Sequence, residues 1–265
     1  MIIQLKDRAL LKISGEDAQR FLQSQFTNDI NSISPKEIQI NAYCQHQGKI
    51  MALLWVFIKN GYFYLSFPQE LREIVLSKLN MFKLMSKVTI EDNSSLINQY
   101  GLINEKLDDS MKLKNNLSIH TTRKTLESYP DINLWEKACI DNNLPDIHLK
   151  PSEKFIPQAL NLDIDEIGVS FTKGCYPGQE VVARMHYLGK PKRRLFHFSS
   201  KIEANIGDLI NVKDSKSLKS SGVILRVAKI DGNYHSLATF EMQHINHSAY
   251  LNDDENKPLV IVDAK

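Results

Sequence analysis

One cysteine of this chain stands in a segment whose residue types can build a reactive thiol. The segment spans residues 171–184 and reads Phe-Thr-Lys-Gly-Cys-Tyr-Pro-Gly-Gln-Glu-Val-Val-Ala-Arg. Gly174 and the pair Pro177-Gly178 predict a tight turn around Cys175, because glycine and proline favour the backbone conformations of turns. The residues from Gln179 onward have the pattern of the first turns of a helix.

The predicted turn and helix place positive electrostatic potential on Cys175. A helix start presents free backbone N–H groups, and Lys173 and Arg184 add two cations close by in sequence. Both features favour the thiolate, which is the nucleophilic form of cysteine. The sequence therefore predicts Cys175, Lys173 and Arg184 as a catalytic group. The alternative is that Cys175 is a small apolar residue inside a turn.

The other cysteines form no recognisable metal site or disulfide framework with it. The chain has three cysteines, at positions 44, 139 and 175, an odd number without a C-x-x-C pair. His46 is two residues from Cys44, but neither has partners at the spacing of a zinc site. We therefore expect no stably bound metal and a reducing environment.

Composition argues against several classes of protein. The 265 residues carry 33 basic and 31 acidic side chains, and the net charge of +2 is too small for a protein that wraps duplex nucleic acid. The longest apolar run, from Met51 to Ile58, is far shorter than the roughly 20 residues that span a bilayer. Charged residues from Lys6 onward interrupt the apolar start, which argues against an export signal. We expect a cytoplasmic protein with no membrane partner.

Hydrophobic patterns predict the elements that position the cysteine segment. Apolar residues at helical spacing follow Ser14, which predicts a helix that begins there with an S-x-x-D cap. Alternation over 38–42, the apolar run over 51–58 and the turn at Asn60-Gly61 predict a hairpin meander. The other predicted elements are two helices, from Pro68 to Phe82 and over 132–142, and a loop or surface helix over 104–116.

The pattern changes beyond Lys190. Short strand-like runs separated by Gly207-Asp208 and Asp231-Gly232 predict a small antiparallel barrel. We therefore predict an α+β protein of two units, an α+β region over residues 1–190 and a small β-barrel domain over residues 191–265.

The segment around Cys175 resembles the signature of a known family. Residues 173–180 with Arg184 are similar to the K-G-C-[FY]-x-G-Q-E-x-x-x-R signature of the YgfZ folate-binding proteins, relatives of the glycine-cleavage T-protein. Residues 155–158 and the region from Gly15 to Asp29 also resemble that family. The resemblance implies a T-protein-like fold, in which interlocked α+β subdomains surround a central hole and a C-terminal antiparallel β-barrel completes the molecule.

The same resemblance implies a ligand and a cellular role. The ligand is tetrahydrofolate or a derivative, polyglutamylated forms included, and we expect Tyr176, Gln179 and Glu180 of the signature to contribute to its binding. The role is the assembly or repair of iron–sulfur enzymes, including enzymes that modify tRNA. The expected partners are iron–sulfur client proteins met transiently, with tRNA reached only indirectly. A single thiolate cannot hold a cluster that takes about four cysteine ligands.

Two further positions are expected to bind the cofactor. Family members present one tryptophan near the N-terminus and another on a later helix to the folate, and this chain has Arg8 at the first place and Trp135 at the second. An indole stacks on a flat pterin, and the planar guanidinium of Arg8 is able to stack or to meet a glutamyl carboxylate. The alternative is that Trp135 is a core residue.

The chain departs from the T-proteins at the residues that assist aminomethyl transfer. T-proteins carry acidic residues shortly after the glycine that Gly48 resembles, whereas residues 51–54 read Met-Ala-Leu-Leu. Apolar side chains transfer no proton, so the aminomethyltransferase reaction is not expected. Two alternatives stay open, a folate-dependent one-carbon transferase acting through Cys175 and a non-catalytic tRNA-binding module. The basic run over 190–194 is interpreted first as a linker and second as a site for a polyglutamate tail.

Overall fold

Three sheets organise the described part of the molecule. The computed structural model describes residues 1–213, 219–252 and 254–263. A four-stranded sheet has the order β1-β7-β9-β8, a five-stranded sheet the order β3-β4-β5-β2-β6, and the remaining strands close a barrel in the order β10-β13-β12-β11-β14-β15. The strands are β1 (Ile2–Gln4), β2 (Arg8–Ser14), β3 (Gln39–Cys44), β4 (Ile50–Lys59), β5 (Tyr62–Pro68), β6 (Thr89–Asp92), β7 (Asn98–Ile103), β8 (Met111–Lys114), β9 (Leu117–Thr122), β10 (Arg193–Ser200), β11 (Leu209–Val212), β12 (Gly222–Ile230), β13 (Asn233–Glu241), β14 (Ala249–Leu251) and β15 (Pro258–Asp263).

The α+β class and the closed C-terminal barrel confirm the predicted fold class. The predicted hairpin is also present, since β4 and β5 pair in antiparallel register across Asn60 and Gly61. Both turn residues have positive φ, 52° and 77°, which is the backbone that an Asn-Gly turn favours. The predicted loop or surface helix over 104–116 is wrong at its end, because β8 alternates buried Met111 and Leu113 with lysines.

The described residues form four α-helices, each of which contributes side chains to the main buried cluster. They are α1 (Ala18–Gln25), α2 (Arg72–Phe82), α3 (Ile132–Asp141) and α4 (Gln179–Leu188). The prediction that Ser14 begins the first helix is wrong, since Ser14 is the last residue of β2. The Asp17 carboxylate accepts a hydrogen bond from the backbone N–H of Lys87 at 2.9 Å instead of capping α1. The helices predicted after Pro68, over 132–142 and after Gly178 are confirmed in position.

The barrel and the two open sheets share one apolar core. Leu195, Val223 and Leu237 of the barrel belong to the same buried cluster as the strands of the five-stranded sheet. A second, smaller cluster fills the barrel interior. The first barrel strand begins at Arg193, three residues after the predicted boundary at Lys190. Among the described residues, no helix has the length and apolar character needed to cross a membrane.

Candidate functional site

The cysteine segment lies on the hairpin that joins β3 and β4. Gly178 precedes α4 with φ of 83°, a conformation that disfavours side chains. A Cβ on Gly178 would lie 2.5 Å from the backbone oxygen of Gln45 and 2.6 Å from Cα of Gly48. Only glycines allow these two backbones to approach so closely. The turn that the sequence predicted around Cys175 is therefore anchored on the β3–β4 hairpin.

This anchoring leaves Cys175 exposed, whereas the other two cysteines are buried. Burial raises the pKa of the Cys44 thiol, and it raises the pKa of Cys139 to about 12 despite the nearby Arg226. Buried neutral thiols are poor nucleophiles. Cys175 is therefore the accessible thiol of the three.

Lys173 is buried, and its ammonium group donates hydrogen bonds to backbone carbonyls. Its Nζ donates to the carbonyl oxygens of Gln23 at 2.6 Å, Phe26 at 2.5 Å and Asn28 at 3.1 Å. These carbonyls lie at the end of α1 and in the turn after it, where helix geometry leaves acceptors unpaired. Burial lowers the pKa of Lys173 to about 8. Lys173 thus fixes the cysteine turn to the end of α1, and its hydrogen bonds go to carbonyls.

The remaining signature residues surround the start of α4. Tyr176 is buried, and its ring centroid lies 5.2 Å from the Lys173 ammonium. Gln179 is half-buried and donates its backbone N–H to the Tyr176 carbonyl at 3.2 Å, whereas Glu180 and Arg184 are exposed. Gln179, Glu180 and Arg184 therefore contribute to the surface around Cys175, whereas Tyr176 belongs to the interior.

Arg8 and Trp135 lie away from the cysteine turn. Both line a cavity of about 210 Å³ where the sheets join the barrel. Trp135 of α3 packs on the backbone of β7, since a Cβ on Gly101 would lie 2.4 Å from its Cε3 atom. Its ring meets the edge of Trp55 with the centroids 6.3 Å apart. The predicted site residues therefore fall into two groups, a cavity group and a cysteine-turn group. The other polar and charged side chains that line the cavity are Asp7, Glu136, Asp146, His148 and Arg226.

A buried ion network forms the floor of this cavity. Arg8 Nη1 lies 2.5 Å from Asp146 Oδ2, and Arg226 Nη2 lies 3.1 Å from the same oxygen. Arg226 Nη1 also lies 2.5 Å from Glu136 Oε2. Burial by itself would raise the pKa of Asp146, but the charges of the two arginines hold that pKa below its usual range.

The interactions of Arg8 differ from the expected ones. Its guanidinium carbon lies 3.5 Å from the ring centroid of Trp55, and its Nε and Nη2 donate to Oγ and the backbone oxygen of Ser66. All three guanidinium nitrogens therefore already have protein acceptors, the third being Asp146. These bonds use three of its five N–H groups and fix Arg8 in the wall of the cavity, so its contact with a glutamyl carboxylate stays a prediction.

Sequence reasoning missed the partners of Arg8. Asp146 and Arg226 follow Arg8 by 138 and 218 residues, and no local spacing connects them. One signal was available, because Arg226 interrupts the apolar run of β12, Val-Ile-Leu-Arg-Val. A charged residue in a buried strand requires a partner of opposite charge.

The basic run over 190–194 is half neutralised by ion pairs. Arg193 Nη2 lies 3.0 Å from Glu241, and Arg194 makes a two-pronged contact with Asp163 at 2.5 and 3.0 Å. These pairs favour the linker interpretation over a dedicated anion site. Within the described part of the chain, no group of three or more histidine, cysteine or acidic side chains is placed to hold a metal ion.

Comparison with solved structures defines the class. The fold matches a crystal structure of the glycine cleavage system aminomethyltransferase T from Bartonella henselae with a TM-score of 0.66, over 99% of this chain and 84% of that one, at 10% sequence identity. The molecule therefore has the fold of the T-proteins. No family model matches the chain.

Sequence relatives define the family within that class. An uncharacterized protein of Haemophilus influenzae is 32% identical over 240 residues, covering 87% of this chain and 85% of its own length. The tRNA-modifying protein YgfZ of Colwellia psychrerythraea is 29% identical over 260 residues, covering 84% and 80%. That of Buchnera aphidicola is 29% identical over 267 residues, covering 86% and 83%. The chain belongs to the YgfZ family.

Proposed function

We propose that this chain is a tetrahydrofolate-binding accessory protein that supports the assembly or repair of iron–sulfur enzymes, among them enzymes that modify tRNA. The observation that carries the proposal is the cavity in which Trp135, Arg8 and a set of carboxylates converge. The names of the YgfZ relatives, which are tRNA-modifying proteins, and the T-protein fold support it.

The size of the cavity fits the ring end of a folate. Sites that enclose a whole drug-sized ligand measure about 300 to 1,000 Å³, whereas this cavity measures about 210 Å³. The bicyclic pterin would occupy it, with the indole of Trp135 as an aromatic wall, and the glutamyl tail would extend outside. When bound, tetrahydrofolate would supply a carrier for one-carbon groups.

The hydrogen-bonding capacity of the cavity also fits a pterin. Each nitrogen of Arg8 and of Arg226 donates to a protein acceptor, which uses three of the five N–H groups of each guanidinium. These cations therefore offer the ligand positive charge together with their remaining N–H donors. Glu136 uses Oε2 for Arg226, and its other oxygen is able to accept. A reduced pterin carries an amino group and several ring N–H groups. We infer that the Glu136 carboxylate accepts from that donor edge.

Cys175 supplies the thiol of the proposed function. It is exposed at the start of α4, so a client protein can reach it without unfolding of this chain. Because one thiolate holds only a fraction of a cluster's ligands, the contact would be transient and shared with the client. The tRNA would be affected only through the client enzyme.

A folate-dependent one-carbon transferase is the second candidate, favoured by the T-protein fold. Ala52 and Leu53, in the stretch where T-proteins carry acidic residues, are completely buried in β4. This stretch offers no group for proton transfer. Turnover of tetrahydrofolate with an aminomethylated or methylated donor would distinguish the transferase from the accessory protein.

The proposal is tested by titration with tetrahydrofolate under reducing conditions. We expect saturable heat in calorimetry and quenching of tryptophan emission, and a Trp135→Phe variant that loses most of the quenching. p-Aminobenzoylglutamate, which lacks the pterin, is the control ligand and should bind far more weakly. In cells that lack this protein, the wild-type chain should restore the activities of iron–sulfur enzymes. Absence of both heat and emission change at saturating folate would overturn the proposal.

A further inference from the structure

A histidine in the wall of the cavity pairs with a glutamate that lies outside the lining, and neither belongs to the two groups of predicted site residues. His148 lies in the loop after α3 and lines the cavity beside Arg8 and Asp146. Its Nδ1 lies 2.7 Å from Oε1 of Glu70, which belongs to a short helical turn between β5 and α2. The same Oε1 accepts the backbone N–H of Leu149 at 3.0 Å. The imidazole is therefore held by a partner on a different element.

This arrangement determines which ring nitrogen carries the proton. An ionised carboxylate only accepts hydrogen bonds, so Nδ1 must donate to Glu70. In the neutral imidazole the proton is then on Nδ1, and Nε2 carries a lone pair that is able to accept. Within the described residues Nε2 has no protein partner. His148, a lining residue of the cavity, thus carries a hydrogen-bond acceptor of fixed tautomer.

We propose that His148 Nε2 accepts a ring N–H of a reduced pterin and so selects the reduced over the oxidised form of the ligand. This inference rests on the proposed folate function. A tetrahydropterin has hydrogen on N5 and N8, whereas both atoms of an oxidised pterin are acceptors. An acceptor facing Nε2 leaves two lone pairs opposed and both groups without a partner, which disfavours binding.

The test compares the affinities of tetrahydrofolate and folic acid by calorimetry at mildly alkaline pH, under anaerobic conditions. For the wild-type chain we expect tetrahydrofolate to bind on the order of tenfold to a hundredfold more tightly. In His148→Leu, which has no acceptor, that ratio should fall towards one, mainly through weaker tetrahydrofolate binding. In Glu70→Gln the tautomer is no longer fixed by a charge, and the ratio should take an intermediate value.

An exposed histidine provides the matched control. His46→Gln, in the β3–β4 hairpin, should keep the wild-type ratio. An unchanged ratio in His148→Leu, with tetrahydrofolate still bound, would overturn this inference alone. Absence of tetrahydrofolate binding to the wild-type chain would overturn it together with the proposed function.

Discussion

Arg8 Nη1 lies 2.5 Å from Asp146 Oδ2, and both side chains are almost completely buried. The contact joins β2, near the start of the chain, to the loop after α3. Arg226 brings β12 of the barrel to the same carboxylate oxygen. One carboxylate therefore connects the five-stranded sheet, the α3 region and the barrel around the cavity proposed for the pterin.

Arg8→Met should destabilise the fold substantially. Removing one partner of a buried ion pair costs up to about 3 to 5 kcal/mol, and Asp146 would keep one of its two cations, Arg226. Urea denaturation measures this loss as a lower free energy of unfolding. Arg72→Met is the control, since Arg72 pairs with Glu73 and Asp92 at the surface and its loss should be small. Equal stability of the two variants would show that the buried pair contributes no more than an exposed one.

The same pair predicts a response to acid. The folded-state pKa of Asp146 is below its usual range, so its contribution to stability is full above the ordinary aspartate pKa and is lost as pH falls through the lowered value. In Arg8→Met that carboxyl loses one of its two cations, and its pKa should rise. The midpoint of acid unfolding, followed by circular dichroism, should therefore shift to higher pH. An unshifted midpoint relative to Arg72→Met would contradict the prediction.

Lys173 predicts a dependence of the same sign, stability rising with pH, in the alkaline range. Its folded-state pKa of about 8 is below the ordinary value of 10.5, so the unfolded chain binds more protons between these values. Stability from this group therefore increases as pH rises from 8 to 10.5, by about 3 kcal/mol in total at about 1.4 kcal/mol per pH unit. The free energy of unfolding of wild type minus that of Lys173→Met should show this increase. Lys49→Met, at an exposed lysine, should show none.

Local patterns predicted the elements of this fold better than its contacts. The Asn60-Gly61 hairpin, the helix after Gly178 and the C-terminal barrel follow from turn chemistry and periodicity within short windows. The sequence correctly places Lys173 in the turn and predicts that its charge acts on Cys175. Its hydrogen-bond partners are carbonyls about 150 residues earlier, which no local pattern indicates. Ser14 failed as a helix cap because pairing with β6 keeps it in a strand.

In the candidate site, too, local features were predictable from the sequence and long-range contacts were not. The signature around Cys175 is contiguous, and sequence alone found it. Arg8 and Trp135 were found only through the resemblance, and the network of Asp146 and Arg226 was not found at all. Ion pairs between distant parts of the chain produce no recognisable residue spacing in the sequence. Only the charged Arg226 within the apolar strand β12 indicates that a partner exists.

Gly101→Ala should weaken folate binding without any contact to the ligand. The added methyl group would lie 2.4 Å from Cε3 of Trp135, so the indole must move out of its position in the cavity wall. Calorimetry should show weaker tetrahydrofolate binding, and the emission of Trp135 should shift. Gly61→Ala is the control that strains the backbone, at φ of 77°, without a clash, since among the described residues nothing lies within 4 Å of a Cβ there, and it should keep the wild-type affinity. Wild-type affinity in Gly101→Ala would remove Trp135 from the proposed site.

Cys175 should be the first cysteine to react with iodoacetamide in the folded protein. It is exposed, whereas Cys44 and Cys139 are buried with raised pKa values. Mass spectrometry of tryptic peptides should therefore find one alkylated position until urea exposes the others.

Cys175→Ser should leave the free energy of unfolding nearly unchanged, because an exposed side chain contributes little packing. The same variant should fail to restore iron–sulfur enzyme activities in cells that lack this protein, because an alcohol neither ionises at neutral pH nor binds iron as a thiolate does. The buried Cys44→Ser serves as the comparison and should lose stability while keeping the accessible thiol. Full restoration by Cys175→Ser would show that the turn, and not the thiol, is what the signature preserves.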